Sequence, residues 1–137
     1  MKALWRFVLL FTSVFLLCAC GVGPGVTPTV EILADSFFFG CAYLDTNGNG
    51  EIDPDDPGLK DVLFTVSMQG GMGLSAYTSG DRGCATIIVP GGLETDAWPV
   101  TASMQPPAES NLELVGPAEV VLAYPESHAD FLFAESP

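Results

Sequence analysis

Residues Asp45 to Gly58, DTNGNGEIDPDDPG, determine whether this chain is interpreted as helical or as β-rich. From Asp45 to Asp56 the oxygen-bearing side chains alternate in the register of a calcium-binding loop. An EF-hand would need a helix on each side of it. The flanking segments FFFGCAYL and LKDVLFTVSM are instead short and rich in aromatic and β-branched residues. The stretch therefore predicts a calcium loop that connects two strands.

The predicted metal ligands are all oxygen atoms. They are the side chains of Asp45, Asn47, Asn49, Asp53 and Asp56 and the backbone carbonyl of Glu51. Gly50 occupies the sharp turn, where a Cβ would be penalised, and Ile52 is the expected apolar anchor. Because Ca²⁺ accepts six to eight oxygens and zinc favours nitrogen and sulfur, the pattern predicts calcium. A divalent cation would also relieve the repulsion among the three carboxylates.

The last ligand position departs from the EF-hand pattern. An EF-hand has a glutamate there, long enough to bind through both oxygens, whereas this chain has the shorter Asp56. Asp55 or a water molecule is an alternative ligand at this point. A solvated Asn-Gly turn without metal is the alternative for the whole loop.

The rest of the chain has the pattern of an all-β domain. Val62, Phe64 and Val66 alternate with more polar neighbours, and fifteen glycines and eleven prolines interrupt any helical period. The predicted strands are Phe37–Leu44, Val62–Met68, Leu74–Thr78, Cys84–Val89, Ala97–Met104, Leu112–Val115, Glu119–Ala123 and Ala129–Ala134. We expect a single antiparallel β-sandwich of about seven strands, with the calcium loop between the first two.

The loop and its flanks resemble the B-type repeat domain of serine–aspartate-repeat surface adhesins. The matching residues are Tyr43, Asp45, Asn47, Asn49, Gly50, Asp53 and Gly58, and the later TSGDRGC (78–84) is similar to a hairpin of that family. The resemblance extends over roughly residues 37–133. It implies a prealbumin-like, Ig-like β-sandwich in which calcium stiffens a surface-displayed rod or spacer. Asp56, Cys84 in place of an aromatic residue, and the single copy depart from the family pattern.

The N-terminus has the features of a bacterial lipoprotein signal. Lys2 and Arg6 precede an apolar run from Phe7 to Ala19, which is shorter than the ~20 residues of a membrane-spanning helix. The run ends in Leu-Cys-Ala-Cys, which resembles a lipobox with Cys20 as the lipidated residue. The alternatives are an ordinary cleaved signal or a short uncleaved anchor.

These features predict three segments. Residues 1–19 are a signal peptide, 20–30 are the lipidated cysteine and a Gly- and Pro-rich tether, and 31–137 are the β-sandwich domain. The domain would then lie outside the cytoplasm, held to the bacterial cell membrane or envelope by the lipid on Cys20.

The charge balance argues against a nucleic-acid partner. All seventeen acidic residues follow Cys20, and only Lys60 and Arg82 oppose them. Binding to phosphates requires clustered Lys and Arg. The same acidity disfavours electrostatic attachment to an anionic membrane, so the lipid must supply the anchoring.

Two cysteines remain for the exported domain, Cys41 and Cys84. A disulfide between them suits an oxidising compartment and would stabilise the fold by about 4 kcal/mol in the chain-entropy model. Two buried thiols and a metal-binding pair that lacks further ligands are the alternatives.

Few residues are candidates for catalysis. His128, the single histidine, lies in the segment Ser127-His128-Ala129-Asp130, and we expect no triad there because close neighbours on a strand point to opposite faces. No Walker loop, HExxH, GxSxG or CxxC motif occurs.

The sequence predicts a non-enzymatic, calcium-stabilised surface lipoprotein module for adhesion, display or envelope structure, with an extracellular protein or glycan as a possible ligand. The alternative is a carbohydrate- or peptide-binding accessory module that uses Tyr77 or Trp98, although Trp98 is expected in the core.

Overall fold

The short alternating segments form eight strands within residues 34–137, the part of the chain that the computed structural model describes. The strands are β1 Ser36–Leu44, β2 Leu63–Ser67, β3 Gly73–Tyr77, β4 Cys84–Val89, β5 Val100–Gln105, β6 Leu112–Val115, β7 Glu119–Leu122 and β8 His128–Glu135. A single 3-10 turn, Thr95–Ala97, precedes β5. The predicted signal peptide, Cys20 and tether lie outside the described residues and stay predictions.

The strands form two four-stranded sheets. One sheet has the order β4-β1-β8-β6 and the other β3-β2-β5-β7. All pairings are antiparallel except that of β1 with β8, which is parallel. The predicted all-β sandwich is therefore confirmed, with eight strands rather than about seven.

The core lies between the two sheets and follows the predicted alternation. Phe64 and Val66 on β2 and Val62 just before it are fully buried, while Leu63 and Thr65 face outward. Opposite them, Gly40 on β1 lies against the ring of Phe64, and a Cβ at this position would overlap that ring. A glycine in the middle of β1 therefore allows a large aromatic residue into the core at this point.

The predicted strand boundaries agree with the structure to within one or two residues, with one exception. The segment Ala97–Met104 was predicted as one strand, but β5 begins only at Val100. Ala97 ends the 3-10 turn, and Pro99 has no backbone N–H to offer to a neighbouring strand.

Within residues 34–137 no helix has the length and apolar character needed to cross a membrane.

Candidate functional site

The loop predicted to bind calcium connects the two sheets. It leaves β1 in one sheet and leads to β2 in the other. At its start, the Asp45 N–H donates to the Phe133 carbonyl on β8 at 2.8 Å. The Leu44 N–H donates to the Pro57 carbonyl at 3.0 Å, so the two ends of the loop are held together. The conformation of this loop is therefore coupled to the positions of both sheets.

A close backbone contact fixes the exit of the loop. Gly58 pairs with Tyr43 in an isolated β-bridge, and a Cβ on Gly58 would overlap the Arg82–Gly83 peptide. Beyond it, the buried Thr78 hydroxyl donates to the Leu59 carbonyl at 2.7 Å and accepts from the Val62 N–H at 3.0 Å. The backbone of residues 58–62 is thus tied to the turn that follows β3.

Asp45 organises the first half of the loop. Its two carboxylate oxygens accept hydrogen bonds from the N–H groups of Gly48, at 2.7 Å, and Gly50, at 2.9 Å. Both glycines have positive φ, 72° and 75°, a conformation that a Cβ would penalise. The Gly residues of the motif therefore bend the backbone around the Asp45 carboxylate.

Three further predicted ligands converge on one point. The side-chain amide nitrogens of Asn47 and Asn49 lie 2.8 and 2.7 Å from the same oxygen, Oδ2 of Asp53. The amide oxygens accept from the backbone N–H groups of Asn49 and Glu51, two residues further on in each case. Rotating either amide by 180° would turn its oxygen toward Asp53 but break its hydrogen bond with the backbone N–H, so a bound cation would have to replace that bond. The donor set of the loop therefore fits a hard cation at the point where these side chains meet.

Asp56 has a different position from the other predicted ligands. Its Oδ1 accepts from the backbone N–H of Thr46 at 3.3 Å and from the Thr46 hydroxyl at 3.2 Å, and its Oδ2 accepts from the Asp53 N–H at 2.9 Å. The side chain is buried, with 8% of the residue exposed. In the described part of the chain, Asp45, Asp53 and Asp56 do not bring one oxygen each within 4.8 Å of one another. Asp56 thus links the start of the loop, at Thr46, to its later half, at Asp53.

These hydrogen bonds keep Asp56 ionised. The Asp53 N–H lowers the pKa of the Asp56 carboxyl most, the two bonds from Thr46 lower it further, and burial opposes them. Since the folded pKa is depressed, the stabilisation from Asp56 is present above the pKa of the unfolded carboxyl and is lost as the pH falls through the folded value.

The remaining loop residues are open to solvent. Glu51, whose backbone carbonyl is the predicted ligand, is exposed. Ile52, the expected apolar anchor, is 43% exposed. It lines a cavity of about 400 Å³ together with Val115 at the end of β6 and Pro117 in the β6–β7 turn. The anchor is therefore only partly covered.

The predicted disulfide between Cys41 and Cys84 is confirmed. The two residues are directly opposite each other on β1 and β4, with Cα atoms 4.1 Å apart and an S–S distance of 2.07 Å. The Ala42 N–H donates to the Gly83 carbonyl, so the next pair along the two strands, Ala42 and Gly83, is hydrogen-bonded. Cys41 and Cys84 therefore occupy a non-hydrogen-bonded pair, in which the side chains approach more closely.

A histidine–carboxylate pair lies on β8 beside this disulfide. His128 Nε2 is 2.8 Å from Asp130 Oδ1. Our expectation that close neighbours in this segment point to opposite faces was wrong for these two, because residues two apart on a strand share a face. Asp130 also contributes to raising the pKa of Tyr43, after burial, while Arg82 opposes the shift.

Trp98 lies between the core and the surface. Its ring centroid is 5.6 Å from that of the buried Phe38 and 5.6 Å from that of Tyr124, which is 73% exposed. Together with Phe37 and Ser127, these aromatic residues line a cleft of about 200 Å³. The expectation of a core tryptophan is thus met on one side of the ring only.

Comparison with solved structures places the fold among known β-sandwiches. The shaft pilin SpaA from Lactobacillus rhamnosus GG is similar, with a TM-score of 0.57 and 13% sequence identity. The chain has a pilin-like fold. The similarity covers 76% of this chain and 52% of the pilin chain, so this chain spans about half of the pilin that it matches.

No protein-family model and no curated protein matches the sequence. The resemblance to serine–aspartate-repeat B domains therefore depends on the motifs alone, and the pilin similarity concerns the fold alone.

Three residues contribute to these sites in ways that were not predicted from the sequence. Thr46 was not recognised as the partner of Asp56, although a hydroxyl residue directly after the first loop aspartate is a local signal that could have indicated it. Tyr124 beside Trp98 and Asp130 beside Cys41 were not predicted because these partners are distant in the chain; Asp130 was considered only with its near neighbour His128. Only the strand pairing brings those residues together.

Proposed function

We propose that this chain is a non-enzymatic structural module of a bacterial cell surface, in which a bound Ca²⁺ fixes the connection between the two sheets. The lipid on Cys20 would anchor it, with the domain outside the cytoplasm, where it serves in adhesion, display or envelope structure. The pilin-like fold supports a structural role at the cell surface.

The observation that carries the proposal is the convergence of Asn47, Asn49 and Asp53 in a loop joined to both sheets. Ca²⁺ would bind the side-chain oxygens of these residues and of Asp45, with the Glu51 carbonyl as a further ligand. Asp56 would become the last ligand after a change of rotamer. Alternatively, it would keep its present hydrogen bonds and hold the backbone of Thr46 and Asp53 in place. A cation here supplies charge neutralisation and rigidity rather than chemistry.

The direct test is calorimetric titration of the chelator-treated, full-length chain with Ca²⁺. We expect one binding site per chain. Asp53→Asn removes a negative charge from the point of convergence and should weaken binding by at least about tenfold, because the charge count of the ligands sets affinity in such loops.

Asp96→Asn is the matched control, since Asp96 is an exposed aspartate in the 3-10 turn, outside the loop. Its affinity should equal that of the unmodified chain. Titration without a calcium-dependent heat, or equal affinities for all three proteins, would refute the metal site.

The aromatic cleft favours a second candidate function, the binding of a glycan. Tyr124 and Trp98 present ring surfaces, and Ser36 and Ser127 line the same cleft with hydroxyl groups. Aromatic faces with a few polar groups are the usual components of small-molecule sites. A volume of about 200 Å³ suits one ring of a saccharide rather than a large ligand.

This second function predicts a saturable change in tryptophan fluorescence when soluble oligosaccharides of the cell envelope are added to the full-length protein. Tyr124→Ala should weaken binding by about five- to thirtyfold if the exposed ring stacks on the sugar, since such aromatic contacts are worth about 1–2 kcal/mol. Tyr77, the other residue expected to bind a ligand, is a comparably exposed tyrosine on β3 that does not line this cleft, so Tyr77→Ala is the control and should bind normally. Binding should also survive chelation of calcium; no saturable change would exclude the glycan function.

A further inference from the structure

Four side chains with metal-binding atoms lie on three neighbouring strands, and none of them belongs to the calcium loop, although Asp130 lines a cavity with loop residues Gly50 to Ile52. A sulfur of Cys41, a ring nitrogen of His128 and a carboxylate oxygen of Asp130 all lie within 4.8 Å of one another. Cys84 joins the group through its bond to Cys41. We call these four residues the Cys–His–Asp cluster.

The register of the strands explains why the cluster forms. Cys41 on β1 is opposite Cys84 on β4 and opposite Asp130 on β8, so β1 holds the middle of the group. His128 shares a face with Asp130 because the two are two residues apart. The regular pairing of three adjacent strands, rather than a mobile loop, therefore positions all four side chains.

The cluster is accessible from solvent. The His128 and Asp130 side chains are 52% and 38% exposed, and Cys84 is half-buried, whereas Cys41 is buried. A small reductant can thus approach the disulfide at Cys84, and a cation can approach from the side of His128 and Asp130. The acidic composition of the chain favours the approach of a cation.

We propose that the reduced form of this protein binds a divalent cation of the zinc class through Cys41, Cys84, His128 and Asp130. Two thiolates, one imidazole and one carboxylate are the donor types that Zn²⁺ uses in four-coordinate protein sites. With the usual zinc–ligand bond lengths of 2.0–2.3 Å, a tetrahedral site separates its ligand atoms by about 3.3–3.8 Å. Cys41, His128 and Asp130 already lie within 4.8 Å of one another, close to that spacing. The Cys84 sulfur lies outside this group, 2.07 Å from that of Cys41, and would have to rotate toward His128 and Asp130 once the bond is broken.

The redox state of the cysteines controls this site. A dithiol reductant delivers two electrons and two protons to the Cys41–Cys84 bond and is itself oxidised to a disulfide. The two thiols then lose their protons as the cation binds, because the thiolate is the ligand. In the disulfide form the sulfurs are bonded to each other, and His128 and Asp130 remain as an ordinary hydrogen-bonded pair.

The cluster is chemically distinct from the calcium loop. The loop offers oxygen atoms alone, which suit Ca²⁺, whereas the cluster offers sulfur and nitrogen, which suit softer transition metals. The proposal therefore does not depend on calcium binding or on the structural role proposed above.

Cobalt titration tests the proposal, because tetrahedral Co²⁺ replaces Zn²⁺ and reports thiolate ligands through its charge-transfer absorption. The protein is the full-length chain with Cys18→Ser and Cys20→Ser, so that only Cys41 and Cys84 supply sulfur. It is reduced and freed of reductant without oxygen, and calcium is present throughout. We expect one Co²⁺ per chain with thiolate-to-cobalt and tetrahedral ligand-field bands, both displaced by one equivalent of Zn²⁺.

The variants distinguish a site that includes His128 and Asp130 from incidental binding of cobalt to the two thiols. His128→Gln and Asp130→Asn should each weaken cobalt binding by at least about tenfold, and the oxidised protein should show no charge-transfer band. Asp81→Asn, a fully exposed aspartate close to Cys84 in sequence, should bind normally. Three outcomes would overturn the proposal: no band in the reduced protein, affinity unchanged in both His128→Gln and Asp130→Asn, or one metal shared by two chains.

Discussion

Removal of calcium is expected to lower the melting temperature of the full-length protein by roughly 10–30 °C. A ligand present at 100 to 1,000 times its Kd stabilises the folded state by about 2.7–4.1 kcal/mol. One kcal/mol corresponds to about 4–8 °C for a domain of this approximate size. The effect should be large because the loop holds several carboxylates and links both sheets, so its collapse would disturb the whole sandwich.

Differential scanning calorimetry with excess Ca²⁺ and with chelator measures this shift. Asp45→Ala should abolish the difference, because the Asp45 carboxylate is a predicted ligand and also holds the Gly48 and Gly50 N–H groups. It should also melt lower than the unmodified protein in chelator, since those two hydrogen bonds are lost. Asp96→Ala should keep the full calcium shift. A melting temperature that is equal in calcium and chelator would contradict a calcium-stabilised module.

Loss of the disulfide is the second large effect. The double variant Cys41→Ala/Cys84→Ala is expected to lose about 4 kcal/mol of unfolding free energy, since the bond closes a loop of 43 residues in the unfolded chain. Urea denaturation in saturating calcium measures it as a lower midpoint. β1 and β4 keep their backbone ladder, so the variant should still fold.

Cys18→Ser/Cys20→Ser is the matched control for that experiment, because it removes two cysteines from outside the described domain. Its midpoint in urea should equal that of the unmodified chain. If Cys41→Ala/Cys84→Ala loses less than about 1 kcal/mol, the β1–β4 ladder alone determines the stability of this edge of the sandwich.

Several features of the fold were predictable because their causes are local. The alternation of Val62, Phe64 and Val66 follows from the pleat of a strand, in which every second side chain faces the core. The absence of helices beside the loop followed from the short, β-branched flanks. Strands β4 and β6 were predicted with their observed bounds, since turn-forming residues delimit both of them.

The candidate calcium site was predictable as a set of residues but not as an arrangement. The spacing of Asp45, Asn47, Asn49 and Asp53 indicated which side chains would meet. It did not indicate that Asp56 would be buried against Thr46 and the Asp53 N–H. The position of the Asp56 side chain depends on how the loop folds back on itself. That conformation is set only when the two sheets hold both ends of the loop.

By itself, the sequence DTNGNGEIDPDDPG and its flanks determined that a polar, turn-rich loop connects two strands of a β-sandwich. Only the tertiary structure decided that β1 pairs in parallel with β8, which places His128 and Asp130 beside the Cys41–Cys84 bond. Periodicity and turn chemistry act over a few residues and can be recognised locally. The pairing of strands far apart in the chain is decided by the packing of the whole core, so the contacts that depend on it appear only in the folded domain.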